Sequence, residues 1–203
     1  MPHPNLPRHQ SGFTLIEIAI VLVIIGLLLG GILKGQELIN SARVKNLATD
    51  FRNIPVFIYG YQDKFKALPG DDPAVATHVT GGTLATTPAG TIGNGVINGN
   101  WNSTTVTDES YLFWQHVRLA GLAPGVTTPG AAGYVPTNAS GGTIGIQSGA
   151  ATAATSPIQT GGATSVGISG AYIICSTGIL GEFVRQLDIQ MDAGNTATGS
   201  MMA

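Results

Sequence analysis

A single carboxylate interrupts the longest apolar stretch of this 203-residue chain. Glu17 is the only ionisable side chain between residues 13 and 33, where Leu, Ile and Val dominate. Membrane-insertion scales assign a charge in such a stretch a cost of about 2.5 to 3.5 kcal/mol, unless it is paired or lies at the edge of the apolar layer. Glu17 is therefore a candidate functional residue, and a tolerated interfacial charge without a role is the alternative.

The stretch around Glu17 is predicted to be a membrane-spanning helix. At about 1.5 Å per residue, residues 13–33 match the roughly 30 Å hydrocarbon core of a bilayer. Gly26, Gly30 and Gly31 would weaken a soluble helix, whereas spanning helices accept glycine. Glu17 falls in the first turns, where the helix dipole favours an anion.

The sequence GFTLIE at residues 12–17 resembles, position for position, the cleavage and methylation motif of type IV prepilins and type II secretion pseudopilins. The resemblance implies that a prepilin peptidase cleaves between Gly12 and Phe13 and methylates the new N-terminus at Phe13. It also implies that Glu17 pairs with the terminal amine of a neighbouring subunit during filament assembly. Such pairing is physically reasonable, because two opposite charges in a dry bundle are costly apart and strongly coupled together.

The resemblance divides the chain into four segments. Residues 1–12 are a leader, 13–33 the transmembrane and filament-core helix, 34–68 an amphipathic continuation of that helix, and 69–203 a globular head. The leader is too short and too polar to contain the apolar region of an ordinary secretory signal. The resemblance further implies a single pass through the inner membrane with the head in the periplasm, and an extracellular or periplasm-spanning filament after assembly. One departure is that many relatives carry a proline near position 34, where this chain has Lys34 flanked by glycines.

Beyond the apolar stretch, helical periodicity continues to about residue 68. One apolar stripe recurs at steps of three and four, formed by Leu47, Phe51, Ile54, Ile58, Tyr61 and Phe65. Pro55 interrupts the pattern, so a kink or a full break is expected there. The helix is predicted to end near Leu68, because Pro69 cannot continue it and Gly70 favours a turn.

The head is predicted to combine a small antiparallel sheet with short helices, which gives an α+β, pilin-like fold. Residues 171–176 form a continuous apolar run typical of a buried strand, and 143–146 form a shorter β-branched run. Helices are predicted over residues 108–120 and 178–191. Phe113 and Trp114 are expected to anchor the core, with carbohydrate stacking by Trp101 or Trp114 as the alternative.

Two pairs of carboxylates are candidate metal ligands. Asp71 and Asp72 lie in a turn, and Asp188 and Asp192 are predicted to extend from the polar side of the last helix. Carboxylates and loop carbonyls suit Ca²⁺, so a structural calcium ion is one hypothesis. The other is that these carboxylates cap turns and helices. His116 has no second ligand at suitable spacing.

No catalytic constellation is present in the sequence. The single cysteine, Cys175, excludes an internal disulfide and lacks a following histidine, which indicates a buried core thiol. The net charge of −2 and the absence of a basic patch argue against nucleic-acid binding.

We therefore expect that the chain is not an enzyme and has no certain cofactor. We expect a structural subunit of a pilin-like filament, either a pilin or a pseudopilin. Its implied partners are other pilin-like subunits, the prepilin peptidase, an assembly platform and an ATPase. The alternatives are a minor or tip pilin that acts as an adhesin, or a membrane-anchored periplasmic domain.

Overall fold

A computed structural model describes residues 12–149, 156–158, 167–168 and 170–203. The predicted leader, apart from Gly12, lies outside the described residues. The elements in chain order are helices α1 (Leu15–Phe65), α2 (Val75–His78) and α3 (Glu109–Leu119), strands β1 (Ile144–Ser148) and β2 (Tyr172–Ser176), and helix α4 (Gly181–Met191). The chain forms two compact units, which divide between Ser41 and Ala42, inside α1. The predicted α+β class, with a long N-terminal helix and a small antiparallel sheet, is confirmed.

Helix α1 continues through Pro55, so the full break that the proline could cause does not occur. Proline removes the N–H that would bond the carbonyl of Phe51. Ile54 and Ile58 on either side of it are both buried, and their packing holds the helix there. The predicted stripe is confirmed, since Leu47 and Tyr61 are also fully buried.

The end of α1 falls at Phe65, three residues before the predicted position near Leu68. Lys66 adopts a left-handed backbone conformation with φ of 56°, which ends the helix. The Lys66 ammonium also donates to the carbonyl oxygen of Asp63 at 2.7 Å, satisfying one of the carbonyls that a helix end leaves without a partner.

The sheet of the second unit consists of two antiparallel strands. β1 and β2 pair with Ile146 opposite Ile174 and Gly145 opposite Cys175. Gly145 is required here, because a Cβ atom at this position would lie 2.0 Å from the carbonyl oxygen of Trp101. Trp101 is therefore packed over β1, and its backbone N–H donates to Gln147 at 3.0 Å.

The largest core cluster joins α1, α3 and β1. It contains Ile54, Ile58, Ile97, Tyr111, Phe113, Trp114, Val117, Tyr134, Ile144 and Ile146. The prediction that Phe113 and Trp114 anchor the core is confirmed. A second cluster packs Val44, Leu47 and Ala48 of α1 against Phe183 and Leu187 of α4.

Helix α3 is buried over ten consecutive residues, from Glu109 to Arg118, rather than along one apolar face. Its polar side chains are buried because the surrounding loops supply their hydrogen-bond partners. Glu109 accepts a hydrogen bond from the backbone N–H of Asn98 at 2.8 Å, and Gln115 accepts one from that of Thr83 at 2.8 Å. The sequence predicted apolar faces on this helix, whereas the structure buries its polar residues as well.

Candidate functional site

The first turn of α1 is closed by a reciprocal pair of side chains. The backbone N–H and the hydroxyl of Thr14 both donate to one carboxylate oxygen of Glu17, at 2.8 and 2.7 Å. The Glu17 N–H donates back to the Thr14 hydroxyl at 3.3 Å. This is a capping box, in which Thr14 is the N-cap and Glu17 the third helical residue. The acid of the apolar helix is thus held at the helix start.

Gly12 and Phe13 precede the helix and are accessible. Both lie outside regular structure and are exposed, and 86% of the Phe13 surface is accessible. A Cβ atom at Gly12 would meet nothing within 4 Å. Packing among the described residues therefore does not require glycine at position 12, and both residues of the Gly12–Phe13 bond are exposed.

The apolar half of α1 has no protein covering in the described structure. Its most apolar window has a mean hydropathy of 2.9, and none of that window is buried. Among the described residues, this is the one helix long and apolar enough to cross a membrane, and a signal sequence would satisfy the same criterion. So much contiguous apolar surface has to be covered by lipid or by other apolar helices.

Asp71 holds a loop of the head through backbone amides. One of its oxygens accepts hydrogen bonds from the N–H groups of Gly93 and of Asn94, the latter at 3.2 Å. The other accepts one from Gly95 at 2.7 Å. Asp71 is 3% exposed, so this buried carboxylate links the 68–73 turn to the 93–95 loop through hydrogen bonds.

Asp72 is fully buried and accepts three hydrogen bonds. They come from the Tyr61 hydroxyl at 2.7 Å, from His78 Nδ1 at 2.7 Å and from the Ala74 N–H at 2.9 Å. Burial by itself would raise the pKa of Asp72, but the bonds from His78, Tyr61 and Ala74 outweigh it and hold the pKa below its usual value. The prediction that carboxylates in this turn stabilise the segment that follows agrees with this geometry.

His116 lies beside this cluster and completes a buried polar network. Its Nδ1 accepts the Gly70 N–H at 2.9 Å, and its Nε2 lies 2.9 Å from the carbonyl oxygen of Thr83. Nε2 therefore carries the proton, and neither ring nitrogen is open to a metal. Burial lowers the pKa of His116, so the ring is neutral near pH 7. No local pattern in the sequence predicts this network, because its partners lie up to 46 residues apart.

Asp188 is buried, so the prediction that it extends from the polar side of α4 is wrong. Its neighbour Leu187 packs in the second cluster, and the structure buries both residues. Neither of its oxygens has a hydrogen-bond partner among the described residues. Asp192 is only partly buried and accepts the Ser200 N–H at 2.6 Å, which closes the C-terminal turn.

The four candidate metal ligands do not come together. Among the described residues, no group of three His, Cys, Asp or Glu side chains is arranged to hold a metal ion. Asp71, Asp72 and Asp192 each accept N–H donors from neighbouring residues.

Cys175 of β2 is buried, as the sequence indicated. Burial raises the pKa of its thiol to about 11. Since the thiolate is the reactive form, the residue is inert at neutral pH.

Comparison with known families identifies the N-terminal segment. Residues 7–33 match the model of the prokaryotic N-terminal methylation motif, which is the signature of type IV pilins and pseudopilins. The match spans the exposed Gly12–Phe13 bond, the Thr14–Glu17 capping box and the apolar half of α1. No curated protein and no solved structure has a significant match to this chain.

Proposed function

We propose that this chain is a structural subunit of a type IV pilin-like filament. A prepilin peptidase cleaves it between Gly12 and Phe13 and methylates the amine of Phe13. The mature subunit is stored in the inner membrane as a single-pass protein with its head in the periplasm. An assembly platform and an ATPase then transfer it into a filament, where its residues 13–33 pack with the apolar helices of the other subunits in the core.

The observation that carries this proposal is the combination of an exposed cleavage site with an uncovered apolar helix. Moving such a helix from lipid into a helical bundle gains little hydrophobic free energy, because lipid tails are as apolar as leucine. Direction and register must therefore come from polar contacts and close packing. Glu17 is the one acid in residues 13–33. Cleavage creates a terminal amine at Phe13, whose positive charge can pair with the Glu17 carboxylate of a neighbouring subunit.

Within this class we propose a pseudopilin-like or minor pilin-like role rather than a major pilus subunit. The single cysteine means that no internal disulfide staples the head. Glycines stand around Lys34, where many pilins carry a proline. In sheared filaments, quantitative mass spectrometry should find this chain as a trace component. A chain that dominates such filaments is a major subunit and contradicts the proposed role.

Replacement of Gly12 tests the cleavage step. Gly12→Val, produced together with a prepilin peptidase, should accumulate as the full-length chain, measured by intact mass. Gly31→Ala is the matched control, because a Cβ atom at either position meets no described residue within 4 Å. The control should be cleaved, and normal cleavage of Gly12→Val would contradict the proposal.

Replacement of Glu17 tests assembly separately from cleavage. Glu17→Gln should be processed normally but should fail to enter filaments, because a neutral amide cannot compensate the charge of the neighbour's amine. Glu37→Gln is the control, since Glu37 is an exposed acid of the same helix that pairs with Lys34. Wild-type filament yield from Glu17→Gln would show that the charge plays no part in assembly.

A further inference from the structure

A small cavity of about 160 Å³ lies in the second unit, between α1, α3 and two loops. Its polar lining residues are Asp50, Asn53, Arg118 and Thr137, and the other lining residues are apolar. Three of the apolar ones, Ile54, Trp114 and Ile144, belong to the largest core cluster, so the cavity lies beside that cluster. No residue of the proposed processing site lines it. Its two charged residues, Asp50 and Arg118, carry opposite charges.

Arg118 is held rigidly at the wall of the cavity. Its Nε donates to the carbonyl oxygen of Pro124 at 3.2 Å, and its Nη1 donates to those of Val126 and Tyr134, both at 2.7 Å. The guanidinium carbon lies 5.6 Å from the centroid of the Trp114 ring. These contacts leave Nη2 without a hydrogen-bond partner among the described residues, and the side chain is only 8% exposed.

Asp50 contributes a carboxylate from the α1 side of the same cavity. The residue is half-buried, and burial raises its pKa, an effect that the Ala139 N–H only partly offsets. Neither Asp50 nor Arg118 forms an ion pair with any described residue. An anion and a cation thus line one cavity without neutralising each other.

We propose that this cavity binds a small zwitterion, namely a free α-amino acid. Its ammonium group would pair with Asp50 and its carboxylate with the Nη2 group of Arg118. A simple anion is disfavoured by Asp50 and a simple cation by Arg118, whereas a zwitterion satisfies both. A sugar is disfavoured because Trp114 is only 5% exposed and Arg118 lies over its ring, which leaves little of the ring free for stacking.

A second, polar depression of about 350 Å³ adjoins the first, because Asp50 and Thr137 line both. Asn46 and Thr49 of α1 also border it. The side chain of the bound amino acid would extend into this depression, where hydroxyl and amide groups suit a polar side chain. The ligand class is therefore a polar α-amino acid rather than an apolar one.

The test is calorimetric titration of the full-length chain in detergent micelles with each of the twenty standard free amino acids. Polar amino acids should bind at millimolar concentration or better. Removing either charge of the ligand should weaken binding at least about tenfold. Two analogues of the amino acid that binds test this loss: its methyl ester, which lacks the carboxylate, and the carboxylic acid that lacks its α-amine. Glucose should give no heat.

Variants locate the site on the protein. Asp50→Asn should weaken binding at least about tenfold, while Asp63→Asn, an exposed acid on the same helix, should leave it unchanged. In a Trp101→Phe background the remaining Trp114 lines the cavity, so its fluorescence should change on binding. No heat with any amino acid, equal binding of the methyl ester, binding of glucose alone, or full affinity in Asp50→Asn would each overturn the proposal.

Discussion

The Thr14 hydroxyl and the Glu17 carboxylate lie 2.7 Å apart and are joined by a hydrogen bond across the first turn of α1. The acid at the start of the apolar helix therefore has a local partner before any other subunit is present. In an assembled filament, the amine of a neighbouring subunit has to compete with this local partner or add to it. Thr14 thus positions the carboxylate on which the proposed assembly step depends.

Replacing the Thr14 hydroxyl should loosen the start of α1. Thr14→Val keeps the shape of the side chain but removes the acceptor for the Glu17 N–H and one donor to its carboxylate. We expect faster hydrogen exchange at the Glu17 amide, measured by NMR in micelles. Thr14→Ser retains the hydroxyl and should exchange like wild type. Equal protection in the valine variant would show that the capping box does not form.

His116→Leu should destabilise the second unit by about 1 to 3 kcal/mol, because it leaves the buried Gly70 N–H without an acceptor. Urea unfolding followed by tryptophan fluorescence measures this change, since Trp101 and Trp114 both lie in that unit. Arg52→Leu, at an exposed position of α1, is the control and should change stability by less than about 0.5 kcal/mol. A stability loss no larger than that of the control would rule out the buried bond.

The same histidine should make the head less stable in mild acid. Burial holds the pKa of folded His116 below the ordinary value of 6.5, so below that pH the unfolded chain binds a proton that the folded chain does not. Protons therefore favour unfolding, and the free energy of unfolding should fall by up to about 1.4 kcal/mol per pH unit as the pH decreases from 6.5. Asp72, whose pKa is lowered from 3.8, adds its own loss only in stronger acid.

Urea titrations at about pH 7.5 and about pH 5.5 test this dependence, which spans the ordinary histidine pKa. The wild-type chain should lose stability between the two values, and His116→Leu should lose distinctly less. An identical loss in both would assign the effect to other groups.

Asp71→Ala should release the 93–95 loop, because three backbone N–H groups lose their acceptor. We expect a loss of about 3 kcal/mol in the free energy of unfolding, since hydrogen bonds to charged groups are the stronger kind. Asp63→Ala removes an exposed acid and serves as the control. Added Ca²⁺ should leave the wild-type Tm unchanged, because Asp71 already accepts these N–H donors. A calcium-dependent rise in Tm that Asp71→Ala abolishes would support a metal site instead.

Local patterns were sufficient to predict most of the helices and strands. Each of these predictions rests on a spacing of apolar residues within one helix or strand. Examples are the stripe from Leu47 to Phe65, the apolar run at 171–176 and the spacing of Phe183 and Leu187. The GFTLIE motif is equally local, so the segment that matches the methylation motif could be found from sequence alone.

What the sequence did not indicate depends on contacts between distant residues. Gly70 and His116 are 46 residues apart, and Asp71 reaches Gly95 across 24, so no periodic signal links them. The exposed position predicted for Asp188 was wrong because an acid on a helix predicts an exposed side, whereas the folded head buries this one. The cavity lined by Asp50 and Arg118 is another case, because these residues lie on two different helices, α1 and α3, and no local pattern predicts that the helices pack together.

The intact mass of the mature protein tests the central proposal most directly. Purified from cells that contain an active prepilin peptidase, the chain should begin at Phe13 and carry one additional methyl group on its terminal amine. A chain that begins at Met1, or one cleaved at any other bond, would contradict the proposal that it is a pilin-like filament subunit.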